Sequence, residues 1–203
     1  MTSQERRRGG RRPTAEVHAA AVSAAGDLLF EQGIEAISHE RVAMRAGVSK
    51  TTLYKWWPTT GAMAAAAYLH RSEPALELPE SGSFVDDLLV QMRGFVALVT
   101  EPSAGRAVRG IIAAGQTDEA AREAFLEGYV RPRRRLTRAA FDRARERQEI
   151  RADADFDAFI DQLWGAAYFR LLVEPRAVTR EYGDTLVRQA FAGVAPTEAR
   201  EEG

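Results

Sequence analysis

Between Ser38 and Pro58 the chain starts and stops two short helices in quick succession, in the segment SHERVAMRAGVSKTTLYKWWP. Serine opens helices because its hydroxyl oxygen accepts a backbone N–H that the first turn leaves without a partner. Ser38 and Ser49 each stand before a helical pattern. Gly47 closes the first helix, since glycine tolerates the positive φ of a sharp turn, and Pro58 cannot continue the second. The first helix carries Val42, Ala43 and Ala46 inward, with Glu40 in its first turn, where the helix dipole favours a negative charge. Val48 and Leu53 pin the two helices together, with Trp57 one turn further on. Lys50, Thr51, Thr52, Tyr54, Lys55 and Trp56 are left on the N-terminal or outer face of the second helix.

The same reading extends in both directions. A helix begins near Thr14 and places Val17, Ala21, Ala24 and Leu28 on one face, with Gly33 as a left-handed cap. A fourth helix starts at Thr60 or Gly61 and runs to about Ser72. The proline-bearing stretch EPALELPESGS reads as a linker. Helical patterns follow near 83–100, 103–114, 118–148, 155–173 and 178–193, and Pro132 is expected to kink the longest of them. Strand-like alternation and hairpin dipeptides do not occur, so the expected fold class is all-α.

The outward residue types suit DNA. A lysine reaches guanine acceptors or phosphate, a threonine offers its hydroxyl or its methyl to base edges, and Tyr54 and Lys55 can hold phosphates and set register. A buried helical hairpin whose lysine and threonines merely face water is the bland alternative. An exposed Tyr-Lys-Trp cluster beside Lys50 fits that alternative poorly.

The run A-x-x-A-G-V-S-x-x-T-L-Y-x-x-W-P, from Ala43 to Pro58, closely resembles the helix-turn-helix of the TetR/AcrR (tetracycline-repressor-type) regulators, and the likeness covers residues 14–63. ERQEIRADADFD followed by LWGAAYFRLLV resembles the last two helices of many members more loosely. The resemblance implies a homodimer whose paired recognition helices enter successive major grooves of a palindromic double-stranded operator. It also implies a helical-bundle domain that binds a small-molecule effector and dimerises. By position, His39, Lys50, Thr51, Thr52, Tyr54, Lys55, Trp56 and Thr60 are the implied DNA-binding residues. This chain departs from the family pattern at Thr60, where a phosphate-binding lysine is usual, and at Trp56, where histidine is common. The implied organisation is a flexible basic arm over 1–13, a DNA-binding domain with its connecting helix over 14–72, a ligand-binding and dimerisation domain over 73–195, and a tail over 196–203.

Two apolar stripes mark the last two helices, with Phe159, Leu163, Ala167 and Leu171 on one and Leu186 and Ala190 on the other. They are the expected dimer interface, with packing inside one protomer as the alternative. Met92, Phe95, Phe125, Tyr129, Trp164, Tyr168 and Phe169 are the candidate lining of an effector pocket, and they carry no excess of either charge.

Composition removes other classes. The chain has no cysteine, which excludes disulfides and thiolate metal sites and suits a reducing cytoplasm. The polar, basic N-terminus is no secretory signal, and no apolar run is long enough to cross a membrane. Residues 1–60 hold nine Lys/Arg against six Asp/Glu, and the rest nineteen against twenty-three, as a basic head on an acidic body would. The arginines at 6, 7, 8, 11 and 12 either reach phosphates and a minor groove or form a solvated tail. Asp153, Asp155 and Asp157 mimic a calcium loop, but Ala158 and Trp164 stand where its glycine and glutamate belong. His18, His39 and His70 lack metal-pair spacing, and no nucleophile elbow or phosphate-binding glycine loop occurs. The expectation is therefore a cytoplasmic regulator, not an enzyme, without metal or cofactor.

Overall fold

The computed structural model describes residues 13–72, 78–174 and 176–196. The arginine-rich arm, most of the tail and the first half of the expected linker lie outside the described residues. Among these residues the chain is all helical, with α1 (Thr14–Gln32), α2 (His39–Ala46), α3 (Lys50–Trp56) and α4 (Thr60–Ser72), then α5 (Phe84–Thr100) and α6 (Pro102–Ala114). The remaining helices are α7 (Glu119–Phe125), α8 (Arg131–Glu146), α9 (Phe156–Leu172) and α10 (Arg180–Ala192). A 3-10 turn, Ile34–Ala36, lies between α1 and α2, and a π turn, Leu126–Val130, lies between α7 and α8.

Local chemistry accounts for most boundaries. Ser38 Oγ accepts from the Arg41 N–H at 3.2 Å and Ser49 Oγ from the Thr52 N–H at 3.1 Å, so both serines cap as expected. Gly47 turns left-handed at φ 66° and ψ 38°. Gly33 also takes a positive φ, 91°, but with an extended ψ, and it leads into the 3-10 turn instead of a left-handed cap. Asp118, Asp155 and Thr179 cap α7, α9 and α10 through their side chains. Within the aspartate run, Asp155 therefore serves as a helix cap, its Oδ1 accepting the Ala158 N–H at 2.7 Å.

The expected long helix over 118–148 is divided. Pro132 sits in the first turn of α8, where a missing N–H costs nothing. The irregularity falls before it: the Arg131 N–H reaches back five residues to the Leu126 carbonyl oxygen. That wider turn absorbs the break and swings Tyr129 inward, where it is buried.

α4 is the hub. Its sequence TGAMAAAAYLHRS is buried on nearly every side, and it packs against α1, α6, α7 and the π turn. Alanines let these neighbours approach closely. At Gly61 an added Cβ would stand 2.6 Å from the Ala121 Cβ, so only glycine fits where α4 meets α7.

α9 turns Phe156, Phe159, Ile160, Leu163 and Ala167 into the protomer's own core, where Phe159 lies beside Phe84 and Phe141 at 5.9 and 5.6 Å. Phe159, Leu163 and Ala167 are therefore spent inside the protomer and offer no surface to a partner, which corrects the expected seam. Leu171, Leu186 and Ala190 are half-buried. The outward face of α9 instead shows Gly165, Phe169 (55% exposed), Leu172 and Val173 (68% exposed).

Candidate functional site

The head consists of α1–α3, and its outer surface is set by α3. Leu53 and Trp57 are buried against α1 and α2, which fixes the helix phase. Lys50, Thr51, Tyr54 and Lys55 are consequently exposed. Thr52 is half-buried, and its hydroxyl pairs with the Ser49 hydroxyl at 2.7 Å, within the cap. Thr60 is exposed at the first residue of α4, while the neighbouring Thr59 hydroxyl accepts the Ala62 N–H at 3.1 Å. Met44, on α2, is also largely exposed, and no sequence signal marked it.

Two of the expected contact residues have another task. His39 is only 6% exposed: its Nε2 donates to the Trp57 carbonyl oxygen at 2.9 Å, and Tyr54 stacks on its ring at 3.8 Å. It ties the start of α2 to the end of α3 and props Tyr54 outward, so its ring is not available to DNA. Trp56 is half-buried, edge-on to His18 at 4.9 Å and to Trp57 at 5.6 Å. Its ring packs α3 onto α1.

Charge on this face is partly latched. Lys50 Nζ donates to Glu40 Oε1 at 2.8 Å across the glycine turn. This hydrogen bond and the attraction behind it lower the Glu40 pKa and raise that of Lys50. The Lys50 ammonium is therefore held by a carboxylate. Arg41 and Arg45 are turned away, bound to Gln32, the Ala36 carbonyl, Asp27 and Glu31, and they brace α2 on α1.

A second site lies in the body. A cavity of about 100 Å³ is lined by Gln91 of α5, Tyr129 and Val130 of the π turn, Arg133, Arg134 and Thr137 of α8, and Ile160, Trp164 and Tyr168 of α9. Val130, Arg134, Trp164 and Tyr168 also wall an outer groove of about 490 Å³ that includes Phe125. Of the expected lining, Tyr129, Trp164 and Tyr168 meet at the cavity and Phe125 at the groove. Met92 and Phe95 are core residues, although Phe95 backs Trp164 and Tyr168 at 5.2 and 5.4 Å. Phe169 faces outward.

Polar groups in and behind this cavity lack partners. The Gln91 carbonyl oxygen, the Arg133 Nε and the Tyr68 hydroxyl are buried without a hydrogen bond. Burial raises the pKa of Tyr129 and Tyr168, so both phenols remain protonated at neutral pH. The Arg133 guanidinium lies 4.0 Å over the Tyr129 ring, and its Nη1 donates to the Tyr129 carbonyl at 3.1 Å. Within the arginine run over 131–135, Arg133 turns inward to the cavity. The missed signal is its phase, because Arg133, Thr137, Phe141 and Ala144 repeat at helical spacing and the last three are buried.

Among the described residues no helix is long and apolar enough to cross a membrane, and no group of three acidic or histidine side chains could hold a metal.

Comparison with known proteins agrees with this layout. The family description "Bacterial regulatory proteins, tetR family" fits residues 21–67, and "Tetracyclin repressor-like, C-terminal domain" fits residues 78–190. The chain is 34% identical over 184 residues to the HTH-type transcriptional regulator YdeS of Bacillus subtilis, covering 91% of this chain and 92% of that one. It is 26% identical to the HTH-type regulator Rv1556 of Mycobacterium tuberculosis, over 79% and 78% of the two chains. The solved structure of the TetR family transcription regulator SCO0332 matches with a TM-score of 0.79 at 41% identity, over 89% of this chain and 100% of that one. The flavonoid-responsive regulator FrrA shares the fold at 21% identity, with a TM-score of 0.62 over 91% and 99% of the chains. These relatives are transcription regulators, not enzymes. With both halves matched and the helix-turn-helix in place, the chain belongs to the TetR family of DNA-binding transcriptional regulators.

Proposed function

We propose that the protein is a homodimeric repressor that holds a palindromic operator with paired α3 helices and releases it when a small molecule enters the cavity beside Tyr129. One observation carries this reading: a chain of rings joins the cavity to the head through α4. Tyr129 of the cavity wall lies 5.7 Å from Tyr68 of α4, and Tyr68 lies 6.1 Å from Phe30 of α1. Packed interiors transmit displacement because they have little free volume to absorb it. A ligand that moves Tyr129 therefore presses on α4, and through it on the head.

The dimer follows from the geometry of DNA. Two recognition helices grip a palindrome only when they sit about one helical turn apart, ~34–36 Å. The outward apolar face of α9, with Phe169, Leu172 and Val173, supplies the seam, and α10 with Leu186 completes it. Gly165 on that face permits close approach of a partner helix, since nothing lies within 4 Å of where its Cβ would be. The named ligand response of FrrA supports the effector reading by likeness of fold. The protein acts on chromosomal DNA in the cytoplasm.

A coupling of ~1–3 kcal/mol, typical of allostery, weakens operator binding roughly 5–150-fold, and operator must weaken ligand binding by the same factor. The test is calorimetry of a compound that raises the melting temperature, with and without saturating operator. Weaker ligand binding on the DNA complex is expected. Equal affinities for a compound whose binding is lost in Trp164→Ala would overturn the release mechanism.

A further inference from the structure

The cavity has a positive charge that no neighbouring side chain balances. Its lining includes two arginines and no carboxylate. Arg134 is satisfied by Asp157 and Asp161, each at 2.7 Å, and Arg131 is bound by Glu123 and Glu127. Among the described residues, Arg133 has no acidic partner. Its guanidinium is held flat by the Tyr129 ring and one backbone carbonyl, which leaves its buried Nε free. Gln91, 2% exposed, lines the same cavity with a free carbonyl oxygen. Buried polar groups are normally paired, so these two exceptions call for missing partners, an acceptor for the Arg133 Nε and a donor for the Gln91 oxygen.

The walls define the rest of that partner. Val130, Ile160 and Trp164 are apolar, and the slot is narrow. A cavity of ~150 Å³ takes up benzene, so about 100 Å³ is just short of a single ring. A ring therefore enters by displacing wall side chains, Tyr129 among them, and Trp164 and Tyr168 also border the outer groove.

We propose that the effector is an aromatic carboxylate, with its ring between Trp164, Ile160 and Val130 and its carboxylate on Arg133. This rests on the cavity being the effector site. Guanidinium and carboxylate match as planar, charge-assisted partners, and a guanidinium without an acidic partner favours an anion over a neutral acceptor. Tyr129 and Tyr168 complete the same wall.

The test is calorimetric titration of the full-length protein with benzoate and 2-naphthoate against the isosteric neutral amides, benzamide and 2-naphthamide. At least one carboxylate should bind tenfold or more tightly than its amide. Arg133→Met, which keeps the stem and removes the charge, should erase that preference by lowering carboxylate affinity alone, and Arg133→Lys should retain part of it. Melting curves without ligand establish that the variants fold. Should Arg133→Met not fold, the wild-type carboxylate-to-amide ratio and Arg133→Lys still decide. Absence of binding by both carboxylates, equal binding of acids and amides, or a preference that survives Arg133→Met would overturn the proposal. A carboxylate that binds through Arg133 yet leaves operator affinity unchanged would sustain the site chemistry and defeat the effector reading instead.

Discussion

Replacing His39 with phenylalanine separates a structural role from a DNA contact. The Nε2 of this buried ring holds the Trp57 carbonyl oxygen at 2.9 Å, and its face supports Tyr54 at 3.8 Å. Phenylalanine keeps an aromatic face under Tyr54 but leaves the carbonyl without its donor. A buried acceptor stripped of its partner costs ~1–3 kcal/mol. His39→Ala loses the stack as well, a further ~0.5–1.5 kcal/mol for the aromatic pair, before any cavity is counted. The expected order of head stability is wild type, then His39→Phe, then His39→Ala. Trp56 and Trp57 report on the head and Trp164 on the body, so the series is best run in a Trp164→Phe background. Urea titration of the remaining fluorescence gives the midpoints. Operator affinity of folded His39→Phe should stay within about threefold of wild type, a change below ~0.7 kcal/mol, because the ring presents DNA with no surface. An unchanged midpoint together with lost operator binding would refute the structural assignment.

Lys50→Ala should weaken binding to all sequences and lower the salt slope by about one if Lys50 holds phosphate, or cost ~1–3 kcal/mol at one base pair if it reads a base. Glu40→Gln should strengthen binding by releasing Lys50, and gel shifts over a salt series check both variants. Phe169→Glu should yield folded monomers in sedimentation, whereas Leu163→Glu should unfold the protein by burying an unpaired carboxylate; a folded Leu163→Glu monomer would contradict the helix phase. Arg93 and Asp184 join α5 to α10 through two hydrogen bonds, and that contact lowers the Asp184 pKa. Because the folded value is depressed, the stabilisation is present above the unfolded pKa near 4 and is lost as pH falls through the folded value. Urea midpoints should thus depend more weakly on pH below 4 in Asp184→Asn than in wild type.

What could be read from sequence was the local chemistry. Ser38, Gly47 and Ser49 act on backbone groups three to four residues away, so their roles survive any tertiary arrangement. His39 depends on Trp57, eighteen residues on, and spacing within α2 does not reveal that partner. In α9, FDAFIDQLWGAAYFRLL is apolar on more than one face, so periodicity finds stripes without saying which one the protomer keeps. The stripe through Leu163 went inward and the one through Phe169 outward. In α8, four arginines within five residues conceal the phase that carries Arg133 to the cavity, and the π turn shifts that phase relative to α7. Seams and pockets depend on how helices are rotated about their axes, and that is decided by contacts far apart in the chain.

Two α3 helices of a dimer should read DNA as a symmetric pair. Genomic fragments retained by the purified protein should be sequenced, with Tyr54→Ala as the comparison. The enriched fragments should share an inverted repeat, with half-sites ~10–10.5 base pairs apart centre to centre or a multiple of that, and Tyr54→Ala should lose that enrichment. Enrichment of single, unpaired half-sites, or the same fragments retained by Tyr54→Ala, would contradict it.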